Sequence, residues 1–282
     1  MNRDTFEARF LSGAELYGDD FEGAELESWF EDEREGYASL GAGAADDDQV
    51  VGHEYGYHEL NRRHGFRYLP RTQRFRHALG VGSARGLEFE PLVHRLDAVT
   101  ILEPSDTLHG GPLSNGVQPH YVKPSPDGSM PFGDDTFDLI LCFGTLHHIP
   151  NVSRVVTEMA RVTEPGGYVL VREPIISMGD WRTVRKPGVT KRERGIPLAV
   201  MKRIVRDAGL EVDHESLCVF PLLPRVGKLL GRAAYRSRSL TLIDDFSSRV
   251  TRPLYRYHAT TPAQKIRPTS VFLVCRKTPE GP

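Results

Sequence analysis

Apolar and polar positions alternate in two ways along most of the chain. Short apolar runs of strand length lie at 75–81, 98–102, 137–143, 168–172, 212–220 and 271–275. Between them, residues 87–94, 152–162 and 198–208 carry apolar side chains at helical spacing. Strands that alternate with helices are typical of βαβ units, so the pattern predicts an α/β fold with a largely parallel sheet.

The first 70 residues follow a different pattern. They are rich in Asp and Glu, and a Gly-Ala stretch before Asp46, Asp47 and Asp48 indicates a connector. An aromatic segment around Tyr57 and His58 then indicates a helix. We therefore expect an N-terminal acidic segment and helical cap at 1–70 and a second domain at 71–282. Tyr57 and His58 either cover a bound ligand or only pack on the domain edge.

Composition limits the kinds of partner. With 39% hydrophobic and 26% charged residues the chain can bury an ordinary core. A net charge of −2 argues against a nucleic-acid surface, although Arg-rich stretches at 182–206 and 225–256 leave room for a local basic face. The three cysteines lack metal-ligand spacing, which predicts no metal site. Without a signal peptide or a long apolar run, we expect a cytoplasmic protein with no membrane partner.

A glycine-rich turn follows the first strand of the α/β region. It reads Gly80-Val81-Gly82-Ser83-Ala84-Arg85-Gly86 and opens a helix, an arrangement that brings backbone N–H groups close to a ligand. The second strand ends at Glu103, and 103 − 86 = 17 residues separate it from the last glycine. A carboxylate near this distance binds ribose hydroxyls in nucleotide-binding folds. The alternatives are a structural turn and an exposed strand-end Glu.

The most specific motifs lie between residues 131 and 167. They are Pro-Phe at 131–132, a strand beginning Phe-Asp at 137–138, Leu-His-His at 146–148, Arg-Val at 161–162 and Pro-Gly-Gly at 165–167. Together they resemble class I S-adenosylmethionine-dependent methyltransferases of the type 11 family, which includes ubiquinone and menaquinone C-methyltransferases. The resemblance covers about residues 75–175 and concerns fold and cofactor more than substrate.

The resemblance implies a Rossmann-like class I methyltransferase fold. This fold has a mostly parallel seven-stranded sheet with helices on both faces. In addition to it we expect the N-terminal helical cap and an inserted lid at about 175–197. Residues 221–268 would form either a helical cover or a homodimer surface. S-adenosylmethionine is the implied cofactor. The cofactor-binding positions carried over are Gly80, Gly82, Ser83, Gly86, Glu103, Asp127, Phe143 and Gly144.

Two positions depart from the family pattern. Gly80 stands where the family has an acid that helps to hold the cofactor's amino group, and Ala84 replaces the middle glycine. The resemblance therefore implies that other groups hold the amino group here, or that cofactor affinity is lower.

Candidate catalytic residues follow the fourth and fifth strands of the family fold. His147 and His148 lie at the mouth of the sheet, where an imidazole serves as a base if the acceptor must lose a proton; the alternative is a structural pair. Glu173 either contacts the acceptor or pairs with Arg172, and Arg172 is itself a candidate substrate-binding residue. The segment beyond contributes Trp181, Arg182 and Arg185, which either bind an anionic substrate or form a solvated loop.

The leading hypothesis is methyl transfer from S-adenosylmethionine to carbon or oxygen of an anionic small metabolite in secondary-metabolite or sugar biosynthesis. One alternative keeps the fold but performs a non-methylating reaction such as a cyclisation. Another is a methyltransferase that acts on RNA or protein.

Overall fold

A computed structural model describes residues 3–43, 50–51, 54–178 and 190–278. Within these residues the strands are β1 Val50–Val51, β2 Glu54–Tyr55, β3 Ala78–Val81, β4 Val99–Leu102, β5 His120–Val122, β6 Phe137–Phe143, β7 Thr163–Pro174, β8 Leu210–Cys218 and β9 Ser270–Lys277. The α-helices are α1 Arg3–Phe6, α2 Ala24–Gly43, α3 His58–His64, α4 Val152–Val162, α5 Leu198–Asp207, α6 Leu222–Leu229 and α7 Arg238–Thr251.

Seven of these strands form one sheet in the order β5-β4-β3-β6-β7-β9-β8. The first five are parallel, whereas β9 runs antiparallel to both of its neighbours. The predicted α/β class and the mostly parallel seven-stranded sheet are therefore confirmed. β1 and β2 form a separate two-stranded hairpin.

The core lies on both faces of this sheet. β6 is the clearest case, because all of its residues are buried and alternate between the two faces. One face is covered by α4 and α5, whose apolar stripes face the sheet. On the other face Leu60 of α3, Phe89, Leu223 and Tyr235 form a second cluster. Burial on both faces is the usual arrangement of parallel sheets.

The N-terminal helix α2 packs against the end of the sheet through Trp29. The Trp29 side chain is fully buried, and its indole nitrogen donates to the carbonyl of His148 at 2.8 Å. The guanidinium groups of Arg192 and Arg194 lie over the same ring. This contact brings α2 next to the Leu-His-His segment that follows β6.

One local feature differs from its sequence pattern, and a second concerns the start of α4. Residues 87–95 form a 3-10 helix rather than an α-helix, because Pro91 lies inside the segment and cannot donate a backbone hydrogen bond. Before α4, Asn151 adopts a left-handed conformation with φ of 43° and its side chain does not cap the helix. The capping hydrogen bond comes instead from Asp19, whose carboxylate accepts from the Ser153 amide at 2.8 Å.

Candidate functional site

A cleft opens at the carboxyl ends of the central strands. β3 and β6 lie side by side, with β4 and β5 continuing on one side and β7 on the other. Doubly wound sheets bind ligands at this switch point. The cleft is lined there by Gly82 after β3, Glu103 after β4, and Gly144 and Thr145 after β6. Its other walls include Phe30, Glu33 and Arg34 of α2, residues 124–126 and 128–130, and His148.

The turn after β3 requires glycine at residue 82. Its φ is 63°, and a Cβ atom there would lie 2.3 Å from the Thr145 Cγ2 atom. The Thr145 hydroxyl is in turn held by the Val81 carbonyl at 3.0 Å. The backbone of the turn therefore passes directly beside the segment after β6, and both segments face the cleft.

Gly80 has no room for the acid found in the family. A Cβ atom there would lie 2.4 Å from the Ser83 hydroxyl and 3.0 Å from the Phe89 ring. The departure noted in the sequence is therefore built into the packing of the turn. A carboxylate that serves this part of the cleft must come from elsewhere.

Glu103 lies where the sequence predicts the ribose-binding acid. Its side chain is 1% exposed, and its two oxygens accept the amides of Ala84 at 3.1 Å and Ser105 at 3.0 Å. Burial raises the pKa of Glu103, and the two amides oppose that shift. A carboxylate oxygen has two lone pairs, so each can still accept from a ligand hydroxyl.

A second pair of charged groups lies under the aromatic segment. Arg172, at the end of β7, donates to the Asn61 side-chain oxygen at 2.7 Å, and its guanidinium lies 3.8 Å from the centre of the Tyr57 ring. Arg172 is buried, yet no carboxylate of the described residues lies within 4.0 Å of it. Buried charges are usually paired, so this guanidinium is suited to an anionic ligand.

Glu88 is the acidic counterpart of Arg172. Burial raises its pKa to about 7, while the Ser83 hydroxyl and the positive charge of Arg172 act in the opposite direction. Glu88 is thus a buried carboxyl group near the glycine turn, close enough to Arg172 to interact electrostatically but not paired with it. Sequence reasoning missed Glu88, although the absence of an acid at Gly80 was a signal that another one is needed.

The predicted catalytic residues His147 and Glu173 form one buried unit. Glu173 is 0% exposed and accepts the amides of Thr145, Leu146 and His147 as well as the His147 Nδ1 proton at 2.8 Å. Burial lowers the pKa of His147, but hydrogen bonds to Glu173 and Glu193 outweigh it and raise the pKa to about 9. His147 is therefore protonated at neutral pH, and the pair fixes the turn after β6.

The His148 ring lies beside that of His147, with ring centres 4.1 Å apart. Its Nδ1 atom lies 2.8 Å from a carboxylate oxygen of Glu33 on α2, and the residue lines the cleft. The ligand atoms of His147, His148 and Glu193 lie within 4.8 Å of one another, a spacing that a metal ion could bridge. The positive charge on His147 disfavours a cation there, and the expectation of no metal stays a prediction.

The other predicted residues fall into four groups. Gly144 lines the cleft, whereas Phe143 packs against Phe66, Phe272 and Arg172 in the core, and Gly86 contacts Ile101. Asp127 accepts hydrogen bonds from the amide and hydroxyl of Ser129 in a local turn beside the cleft wall. The hydroxyl groups of Ser129 and Ser125 lower the pKa of Asp127 to about 2. Trp181, Arg182 and Arg185 lie outside the described residues.

The aromatic cap lies over Arg172 rather than in the main cleft. Tyr57 stacks on Tyr235 with ring centres 5.6 Å apart, and burial lowers the pKa of the half-buried His58. Whether these two residues contact a substrate stays a prediction.

Comparison with known proteins agrees with this geometry. Residues 79–171, which contain the glycine turn, Glu103 and the segment after β6, match the family model described as a methyltransferase domain. This segment is similar to that family. The predicted resemblance is confirmed, and the model's range ends just before Arg172 and Glu173.

The chain is similar to parts of curated relatives. Over 95 residues it is 32% identical to a ubiquinone biosynthesis O-methyltransferase of Shewanella pealeana, a match covering 32% of this chain and 40% of the relative. Over 64 residues it is 41% identical to a demethylmenaquinone methyltransferase of Mycobacterium bovis, a match covering 22% of this chain and 27% of the relative. The chain thus spans less than half the length of the curated relatives it matches.

Solved structures support the fold. One chain from the Haloferax volcanii complex between the Trm112 methyltransferase activator and a methyltransferase aligns with a TM-score of 0.51 at 13% identity, covering 92% of this chain and all of that one. In the described part of the chain, no helix is both long and apolar enough to cross a membrane.

Proposed function

We propose that this protein transfers a methyl group from S-adenosylmethionine to a small-molecule acceptor. One observation carries the proposal: the buried Glu103 and the glycine turn at Gly82 face one cleft at the switch point of a methyltransferase domain. When bound, S-adenosylmethionine supplies a methyl group activated on a positively charged sulfur.

Residues that line the cleft, together with Glu88 and Arg172 beside it, fit both polar ends of this cofactor; a Cβ atom at Gly144 in the cleft wall would lie 3.9 Å from the Arg172 guanidinium. Glu103 would accept hydrogen bonds from the ribose hydroxyls, as its two oxygens still have capacity. Glu88 and Arg172 would hold the ammonium and carboxylate of the methionyl group. A zwitterion satisfies both of these buried groups at once, and this explains why they are not paired with each other. Glu88 thereby replaces the acid that Gly80 cannot carry.

The protein's own contribution to the reaction is mainly positioning. Methyl transfer to a nucleophile is an in-line displacement that requires reacting atoms about 3–3.5 Å apart. Glu173 and protonated His147 fix the backbone of Thr145, which forms one wall of the cleft. Because His147 already holds a proton at neutral pH, we propose a positioning role for it. His148, which lines the cleft, is the better candidate for contact with the acceptor.

We propose an acceptor that is a small anionic metabolite methylated at carbon or oxygen. The names of the matched relatives support a small-molecule acceptor, since they refer to ubiquinone biosynthesis and to demethylmenaquinone; the anionic character is part of the proposal. The net charge of −2 disfavours RNA as the substrate of the cleft.

The test is incubation of the protein with S-adenosylmethionine and a panel of phenolic and carboxylated acceptors, with S-adenosylhomocysteine measured by mass spectrometry. We expect product with at least one acceptor, and loss of product in Glu103→Ala. Tight cofactor binding without S-adenosylhomocysteine from any acceptor, together with rearrangement of an acceptor at unchanged mass, would favour the non-methylating alternative instead.

A further inference from the structure

Helix α7 is amphipathic, but polar side chains occupy much of its buried side and apolar side chains lie on its exposed side. Its buried positions include the polar residues Thr241, Asp244, Asp245 and Ser248. Its exposed positions include Leu242, Ile243, Phe246 and Val250, and Phe246 is 69% exposed. Surface helices normally turn their apolar stripe toward the core. An outward stripe of this kind marks an interaction surface rather than ordinary exposure of single residues.

Specific hydrogen bonds hold α7 in this orientation. The Asp244 carboxylate accepts the amides of Val219 and Phe220 and the Tyr235 hydroxyl at 3.0, 2.6 and 2.9 Å. On the same helix Asp245 pairs with Arg63 of α3. Rotating the helix to bury its apolar stripe would break these buried contacts. Each buried polar group left without a partner would then lower the stability of the fold.

The neighbouring helix α6 extends the apolar surface. Leu222, Val226 and Leu229 are exposed at helical spacing, and Leu229 is 87% exposed, while Leu223 and Gly227 face the interior. We call the outward residues of the two helices, Leu222, Val226, Leu229, Leu242, Phe246 and Val250, the apolar face.

Positive charge surrounds this face. Residues 221–256 contain eight Arg or Lys, and their two acidic residues, Asp244 and Asp245, are both buried. The chain as a whole carries −2, so the basic character is local. A surface pocket lined by Arg62, Arg63, Arg67 and Arg238, with Glu59, adjoins the face at Leu242. We call these four arginines the arginine pocket; within it Arg62 is ion-paired with Glu59 and Arg63 with Asp245.

We propose that the apolar face and the arginine pocket dock this protein on the surface of an anionic phospholipid bilayer. Aliphatic and aromatic side chains would enter the boundary of the acyl chains, while the guanidinium groups bind headgroup phosphates, the arrangement of interfacial amphipathic helices. This proposal runs against the expectation of no membrane partner, which stays a prediction. It concerns docking on one leaflet and does not depend on the reaction catalysed.

The charges favour a bilayer over other occupants. In a symmetric dimer the same patch meets itself, so the basic rim of one copy would face that of the other and repel it. Nucleic acid is held by basic and polar groups and offers nothing to a row of exposed Leu, Val and Phe side chains. An anionic bilayer complements both properties of the surface.

Vesicle flotation tests the proposal with the full chain. We expect binding to phosphatidylglycerol-containing vesicles, little binding to pure phosphatidylcholine, and weaker binding as salt rises. Phe246→Ser should lower the partition coefficient about tenfold, since it removes an aromatic side chain that would become buried in the bilayer. Arg67→Gln with Arg238→Gln should lower it by a similar factor.

Matched controls lie elsewhere on the surface. Ile266→Ser, at a residue with 48% exposure outside α6 and α7, and Arg206→Gln on α5 should leave the partition unchanged. Equal binding of wild type and Phe246→Ser would overturn the proposal, as would a vesicle-independent dimer that Phe246→Ser dissociates. Complete competition by inorganic phosphate would also overturn it, because it would assign the arginine pocket to a soluble anion. Circular dichroism of each variant confirms that it is folded.

Discussion

The buried pair His147 and Glu173 makes stability depend on pH in a defined direction. The pKa of His147 is about 9 in the folded protein, against 6.5 for an unperturbed histidine. The stabilisation is therefore complete below pH 6.5 and is lost as pH rises through about 9. Each pKa unit corresponds to about 1.36 kcal/mol, so the loss is on the order of 3 kcal/mol.

His147→Asn is the variant that isolates this effect. The Asn amide can still donate to Glu173 at the position of Nδ1, but it does not titrate. Urea unfolding at pH 6.5 and at 9.5 measures the free energy of unfolding of both proteins, and the difference between their pH slopes removes contributions from other groups. Wild type should lose about 3 kcal/mol more than the variant. Parallel pH curves for the two proteins would refute a charged, paired His147.

Two further variants test the cleft. Gly82→Ala should lower the free energy of unfolding by about 2–3 kcal/mol in thermal denaturation, because the new Cβ atom would lie 2.3 Å from Thr145. Gly166→Ala is the control for backbone strain alone, because Gly166 also has a positive φ, 81°, but a Cβ atom there would have no atom within 4 Å. In calorimetry, Arg172→Met should bind S-adenosylhomocysteine at least about tenfold more weakly than the wild type. Its affinity for methylthioadenosine should be unchanged, because that ligand lacks the amino-acid group. A uniform loss for both ligands would contradict the role given to Arg172.

The sheet could be predicted from sequence because its central strands are buried on both faces. Such strands are continuous apolar runs, and the observed Phe137–Phe143 coincides with the predicted run. β5 was missed because it is a three-residue edge strand, His120–Val122, with no fully buried position. Helical spacing alone also could not distinguish the 3-10 segment around Pro91 from an α-helix.

The candidate site was only partly predictable. Gly82, Glu103 and Gly144 were found because they directly follow strands, and the ends of parallel strands meet at one edge of the sheet. Glu88 was not found, since a glutamate within an amphipathic segment looks like a solvent-exposed position. The wall formed by Phe30 and Glu33 depends on the packing of α2, which no local pattern reveals.

The cleft beside Gly82 and Glu103 is the proposed binding site of S-adenosylmethionine. Isothermal titration calorimetry of S-adenosylmethionine into the wild-type protein and into Glu103→Ala tests it most directly. We expect one site per chain in the wild type and binding at least about tenfold weaker in the variant, which loses charge-assisted hydrogen bonds worth about 1.5–3 kcal/mol each. A folded wild-type protein that shows no binding, or a variant that binds equally well, would contradict the account.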